Sequence, residues 1–259
     1  MEEVLIKTTN LVKRYGSVSV VDHLNLEIKA GEIYGFLGPN GAGKTTTIKM
    51  LTGLLDPSEG TVAICGYSMK KQPAQAKGMI AYVPDQPKLY NKLTAREFLH
   101  LMAALYRVPK EIARQRTEDL LGLFEMRHRG DELLEGYSHG MRQKIVLAAA
   151  MIHQPRVILL DEPTVGLDPA SARLLKDILQ DMARQGVAVF VSTHILEIAE
   201  RMCHRVGILM KGSLIAQGSP DELRRQTGHG GESLEDIFLE LTGDSENAAL
   251  IDSLKEDAF

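Results

Sequence analysis

The chain has no tryptophan, two cysteines, and aromatic residues at only 5% of its length. Surfaces that stack unpaired bases are built on aromatic platforms, and none is legible here. Basic excess is also missing: 30 Lys and Arg stand against 34 Asp and Glu, a formal charge of -4. A general nucleic-acid binder carries the opposite balance, so no nucleic acid is expected as a partner. Cys65 and Cys203 lie far apart, in no metal-like spacing. They read as free thiols in a reducing cytosol. No window approaches the ~18 apolar residues that cross a bilayer. The longest apolar runs, such as residues 145–152, are the size of core elements. The opening residues MEEVLIKTTN are acidic and lack an apolar stretch, so they do not read as a secretory signal. Any role at a membrane needs another chain to supply the spanning helices.

What remains is ordinary globular composition, 44% hydrophobic and 25% charged over 259 residues. That length suits one large α/β domain with a subdomain. Strands are expected at 4–6, 24–28 and 32–37, and again at 61–64 and 79–83, with a helix over 45–54. From Thr94 to Ile152 the pattern turns helical. Thr94 and Glu97 have capping-box spacing, and Phe98, Leu101, Met102 and Leu105 recur at helical intervals. Val157 to Leu160 is wholly apolar, as in a parallel strand covered on both faces. A helix over 170–184, a strand over 187–192, a helix over 195–202 and strands at 206–210 and 214–217 follow. This alternation predicts α/β architecture. Ser219, Pro220 and Glu222 mark a further helix start. Residues 232–259 carry nine acidic residues and one basic one, Lys255. Within them, Leu234, Ile237, Phe238 and Leu241 share one face of a helix over 233–241, ahead of a solvated acidic tail. A partner-binding helix is the alternative reading of that segment.

The chemistry begins at Gly38, Pro39, Asn40, Gly41, Ala42, Gly43, Lys44 and Thr45, which fit the P-loop spacing. Its glycines let backbone N–H groups converge on phosphates, and the following helix adds its positive end. Lys44 would reach the β- and γ-phosphates, and the Thr45 hydroxyl would ligate Mg²⁺. The strand over 157–160 runs into Asp161 and Glu162, at the strand end where open α/β sheets bind ligands. Asp161 would hold the metal. Glu162 would act as general base on the attacking water. His194 follows another core strand; by itself it reads equally as a surface histidine or a γ-phosphate contact. A guanine-reading Asn-Lys-x-Asp is approached at Asn91 and Lys92, but Thr94 stands in the Asp position and is better explained as a helix cap. The P-loop alone would also allow a small-molecule kinase.

Over residues 4–220 the chain resembles the nucleotide-binding domain of ATP-binding cassette (ABC) transporters. Gly38 to Thr46 is similar to Walker A, with Thr46 near the α-phosphate. Asp161 and Glu162 resemble Walker B and its base, Asp168 the D-loop aspartate, and His194 the switch histidine. Tyr15 resembles the aromatic that stacks on adenine. Ser138, His139, Gly140 and Met141 occupy the signature position. There the common Leu-Ser-Gly-Gly-Gln reads Tyr-Ser-His-Gly-Met, as in the drug- and antibiotic-export branch. At the Q-loop, Asp85 stands where Gln is usual and Gln86 follows, so either is a candidate for the metal or its water.

The resemblance implies a P-loop NTPase core, a mostly parallel sheet with helices on both faces. It adds an N-terminal antiparallel β subdomain and an inserted helical subdomain at about 88–153. Residues 221–259 would be a C-terminal extension. It implies ATP and Mg²⁺ as cofactors, and a homodimer in which each ATP sits between Walker A of one subunit and the signature of the other. Separate permease subunits would contact residues 84–97, with the chain peripheral on the cytoplasmic face. The competing functions are a soluble cassette ATPase of ribosome or DNA metabolism and an ATP-binding scaffold without turnover. The first usually carries a second cassette, long coiled coils or zinc modules, none of which is legible; Glu162 and His194 argue against the second.

Overall fold

The computed structural model describes residues 3–86, 88–226 and 233–242. The chain begins with β1 (Val4–Tyr15), β2 (Val18–Lys29), β3 (Ile33–Leu37) and α1 (Lys44–Leu51). Then come β4 (Glu59–Ile64), β5 (Tyr67–Ser68), α2 (Pro73–Gly78) and β6 (Ile80–Val83). Three longer helices follow, α3 (Ala95–Leu105), α4 (Lys110–Leu123) and α5 (His139–Met151). The chain re-enters the core through β7 (Val157–Asp161), α6 (Pro169–Arg184), β8 (Ala188–Thr193) and α7 (Leu196–Met202). It continues with β9 (Arg205–Met210), β10 (Ser213–Gly218), α8 (Pro220–Gln226) and α9 (Leu234–Thr242).

Two sheets result. An antiparallel sheet has the order β2-β1-β4-β5. Its strand β2 alternates as a one-sided sheet must, with Leu24, Leu26 and Ile28 buried and Asn25 and Glu27 exposed. The second sheet has the order β10-β9-β3-β8-β7-β6, parallel except at the β9–β10 edge. Its central strands β3, β7 and β8 are buried along their whole length. Successive side chains of β7 therefore enter two different cores. Val157 and Leu159 join Tyr34, Phe36 and Phe190 in the layer shared with α1 and the antiparallel sheet. Ile158 and Leu160 join Leu37, Val83 and Val191 in the layer covered by the helices. Phe190 lies with its ring centroid 5.9 Å from that of Tyr34 and 5.1 Å from that of Phe36. Each such buried side chain contributes roughly 1.5–3 kcal/mol.

The elements expected from sequence are present, with corrections. β1 and β2 run much longer than the expected cores of each strand, because their polar residues face solvent and mask the pattern. α1 ends at Leu51, not Leu54. β5 and α2 escaped the sequence reading because they are too short to show a period. The capping box of α3 is formed: Thr94 Oγ1 accepts from the Glu97 N–H, and the Glu97 carboxylate accepts from the Thr94 N–H. The buried face of α3 is Phe98, Leu99 and Ala103, whereas Leu101 and Leu105 face outward. Inside the expected helical insertion, residues 88–94 form no helix, and short 3₁₀ turns at Arg127–Arg129 and Leu134–Gly136 separate α4 from α5. Ser219 and Glu222 cap α8 reciprocally. Leu234 and Ile237 of α9 are buried, with Phe238 packed beside them. The acidic tail beyond residue 242 and the side chain of Leu241 lie outside the described residues.

Candidate nucleotide site

Parallel pairing sets the site. Leu37 of β3 lies level with Thr193 of β8, Ser192 with Asp161 of β7, and Leu160 with Val83 of β6. Four strands therefore end together, and the loops leaving them converge on one edge of the sheet, where such folds bind ligands. A cleft of about 270 Å³ opens there. It is lined by Val20, by Pro39, Asn40, Gly41, Gly43, Lys44, Thr45 and Thr46, and by Asp85, Asp161 and Glu162.

The loop from Gly38 to Gly43 wraps onto the start of α1, whose N-cap, Gly43, offers no side chain. Gly43 has φ 110°, and a methyl group there would lie 2.5 Å from the Val20 carbonyl oxygen. Only glycine satisfies both conditions. The first N–H groups of α1 therefore face the cleft without a side-chain cap, as an anion site requires. Thr45 is exposed and Thr46 half-buried on the first turn. Lys44 is 7% exposed. Its ammonium donates to the carbonyls of Gly38 at 2.6 Å and Pro39 at 3.3 Å, and lies 3.8 Å from Glu162 Oε1. Burial pushes its pKa below the usual lysine range, opposed by the nearby charges of Glu162 and Asp161.

Asp161 is 2% exposed, and its Oδ1 accepts from the hydroxyl of Ser192, itself fully buried. Glu162 leaves the strand with φ 49°, its N–H donating to the Ser192 carbonyl at 3.0 Å. A non-glycine residue held there costs of order 1–3 kcal/mol, and such strain gathers at functional positions. The turn aims the Glu162 carboxylate back over the cleft. His194 Nδ1 lies 3.0 Å from Glu162 Oε2, with the imidazole half exposed. Tyr82 sits just behind. Its phenol is pushed up to about 12 by burial, with Asp161 and Asp85 adding to the shift.

The donors fit a hard divalent cation. Asp161 has a second carboxylate oxygen beyond the one bonded to Ser192, Thr45 offers a hydroxyl, and Asp85 lines the same cleft. No group of three or more His, Cys, Asp or Glu ligands occurs among the described residues. The carboxylates of Asp161 and Asp85 with the Thr45 hydroxyl are a donor set that fits Mg²⁺, which is usually held by one or two carboxylates together with substrate phosphates.

Other sequence candidates fall outside this cleft. Gln86 is exposed and does not line it, in contrast to Asp85. Tyr15 is 53% exposed at the end of β1, with Lys13 Nζ 5.2 Å from its ring centre. Ser138 caps α5 weakly, accepting from the Met141 N–H at 3.4 Å. Ser138 and His139 are exposed, Gly140 and Met141 half-buried, and none of the four lines the cleft. Asp168 caps α6, accepting from the Ser171 N–H at 2.9 Å and its hydroxyl at 2.7 Å. These bonds hold its carboxyl below the usual range. Ser192 was missed from sequence; its signal is the pair of hydroxyl residues, Ser192 and Thr193, that ends an otherwise apolar strand. Val20 gave no signal.

The family model described as ABC transporter matches residues 21–165, more than half of the chain. The bacitracin transport ATP-binding protein BcrA of Bacillus licheniformis is 39% identical over 223 residues, covering 86% of this chain and 72% of its own. A solved ATP-binding subunit of an ABC transporter superposes with a TM-score of 0.88 at 34% identity, covering 92% of this chain and 99% of its own. A dimeric ATP-binding cassette in a post-hydrolysis state, bound to ADP and Pi, matches with a TM-score of 0.76 at 27% identity, covering 83% of this chain and 98% of its own.

Proposed function

Because the chain belongs to the ABC transporter family as an ATP-binding and ATP-hydrolysing subunit, we propose that it energises export through a separate membrane permease, working as a homodimer. The observation that carries this reading is the separation of two ATP-handling elements. Lys44, Asp161 and Glu162 share one cleft, while Ser138 stands exposed at the N-terminus of α5 outside it. One chain holds half of each site, and a second copy completes it.

In this reading the loop N–H groups and Lys44 hold the β- and γ-phosphates, and Thr46 lies at the α-phosphate. Thr45, Asp161 and Asp85 hold Mg²⁺ or its water, in preference to Gln86. When bound, Mg²⁺ withdraws charge from the phosphate oxygens. Glu162 takes the proton of the attacking water, held by His194 at 3.0 Å. Tyr15 stacks on adenine; its open ring supports that role. The helix N-terminus at Ser138 and Gly140 meets the γ-phosphate of the partner's ATP.

No helix among the described residues is long and apolar enough to cross a membrane; in this reading the spanning helices belong to a separate permease. A depression of about 190 Å³ beside Asp85, lined by Pro84, Leu89, Tyr90, Phe98 and Tyr106 among others, supports docking of a permease segment along residues 84–97. In this reading the subunit sits on the cytoplasmic face. Export is supported by the Ser-His-Gly signature and by the relative that transports bacitracin. Mild extraction of membranes tests the partner. Co-purification of a chain with several spanning helices supports the reading, and recovery with soluble partners alone overturns it.

A further inference from the structure

Helix α5 touches the segment that follows Glu162 at two points. Gln143, 1% exposed, donates from Nε2 to the Pro163 carbonyl at 3.4 Å. Its Oε1 is buried without a partner, an unusual cost for a core amide. At the helix start, the His139 ring lies flush against Gly166. A methyl group on Gly166 would come within 2.5 Å of His139 Cδ2 and 2.8 Å of Nε2. Gly166 also has φ 78°, so the turn and the ring contact both exclude a side chain. Three residues separate Gly166 from the catalytic candidate Glu162.

We infer that His139 is a positioning residue that latches α5 to residues 163–166, so that ATP at the signature of a subunit sets the geometry of that same subunit's Glu162. The inference rests on the sandwich dimer proposed above. In that dimer, the signature and the Glu162 of one chain serve different ATP molecules. A contact inside one chain therefore links the two sites. The α5 end carries the phosphate-sensing Ser138, and the loop end carries the base. The Gln143–Pro163 bond is long at 3.4 Å, and a shift of the loop along α5 is how such a coupling would operate. The two ligands need not touch; what they share is the position of one loop.

His139→Gly tests the latch, since glycine is the common residue at this signature position and suits a helix start. Two readouts are needed in the full-length protein. The first is ATP-driven dimerisation in a Glu162→Gln background, followed by light scattering. The second is the dependence of hydrolysis on ATP concentration with Glu162 present. The latch predicts that His139→Gly disturbs turnover more than it disturbs ATP-driven dimerisation. It predicts that turnover falls roughly tenfold, within the usual range for coupled sites, and that a cooperative ATP curve becomes hyperbolic. Gln143→Leu, which removes the second contact, should act in the same direction. His139→Asn, which keeps a planar polar group against Gly166, should restore part of the cooperativity. If dimerisation and turnover fall together, His139 acts as a direct ATP contact and the latch is wrong. Unchanged turnover and cooperativity overturn it equally. If Glu162→Gln alone does not dimerise with ATP, the sandwich itself fails and the latch falls with it.

Discussion

Replacing Lys44 by alanine separates the stability of the empty loop from the affinity of the cleft. In the free protein Lys44 is a desolvated cation whose bonds go to the carbonyls of Gly38 and Pro39. Losing those bonds and losing the burial penalty act in opposite directions, so the melting temperature without nucleotide should move little. With nucleotide the difference becomes large. At ATP concentrations 100 times Kd, the wild type gains about 2.7 kcal/mol. At roughly 2–4 °C per kcal/mol for a domain of this size, that is a rise of about 5–11 °C. A hydrogen bond from a charged group contributes about 1.5–3 kcal/mol, so losing the Lys44 contact raises Kd by roughly 13- to 160-fold. At the same ATP concentration the gain then shrinks to about 0.3–1.3 kcal/mol, or roughly 1–5 °C. Thermal unfolding followed by dye fluorescence, with and without Mg-ATP, measures both quantities. A Lys44→Ala protein that keeps the full wild-type rise would refute Lys44 as a phosphate ligand.

Three further outcomes are expected. Ser192→Ala strips the buried Asp161 carboxylate of its donor and should cost about 1.5–3 kcal/mol in urea unfolding, whereas Ser192→Thr keeps the hydroxyl and should cost less. Gly43→Ala forces a methyl group against the Val20 carbonyl at a left-handed position, so it should lower stability by of order 1–3 kcal/mol and weaken nucleotide binding in a titration. The Asp168 carboxyl is held below its ordinary pKa by Ser171, so its capping contribution is complete at neutral pH and is lost as pH falls through the lowered value. The stability gap between wild type and Asp168→Ala should accordingly narrow below about pH 4, and a gap independent of pH would contradict the cap.

The parallel core was legible because its strands are buried on both faces and read as unbroken apolar runs, as residues 157–160 show. The antiparallel sheet was legible only in part. Its outer face carries Thr, Lys and Asn, so β1 shows strand composition over just its first residues. Helix α3 was placed correctly but rotated, since Leu101 and Leu105 are apolar yet exposed. The P-loop could be named from its glycine and lysine spacing and the acidic pair from the core strand it ends, whereas His194 was assigned only through the family resemblance. What the sequence could not convey was register. Only pairing brings Ser192 opposite Asp161 and folds His139 onto Gly166.

Glu162→Gln is the most direct test of the cleft as the hydrolytic half of a shared site. The substitution keeps size and hydrogen-bonding shape but removes the base. Steady-state phosphate release should fall by about 100- to 10,000-fold, the usual contribution of a general base. ATP binding should persist, and the protein should accumulate as an ATP-bound dimer. A Glu162→Gln protein that hydrolyses ATP at the wild-type rate and stays monomeric with ATP would contradict both the base and the shared site.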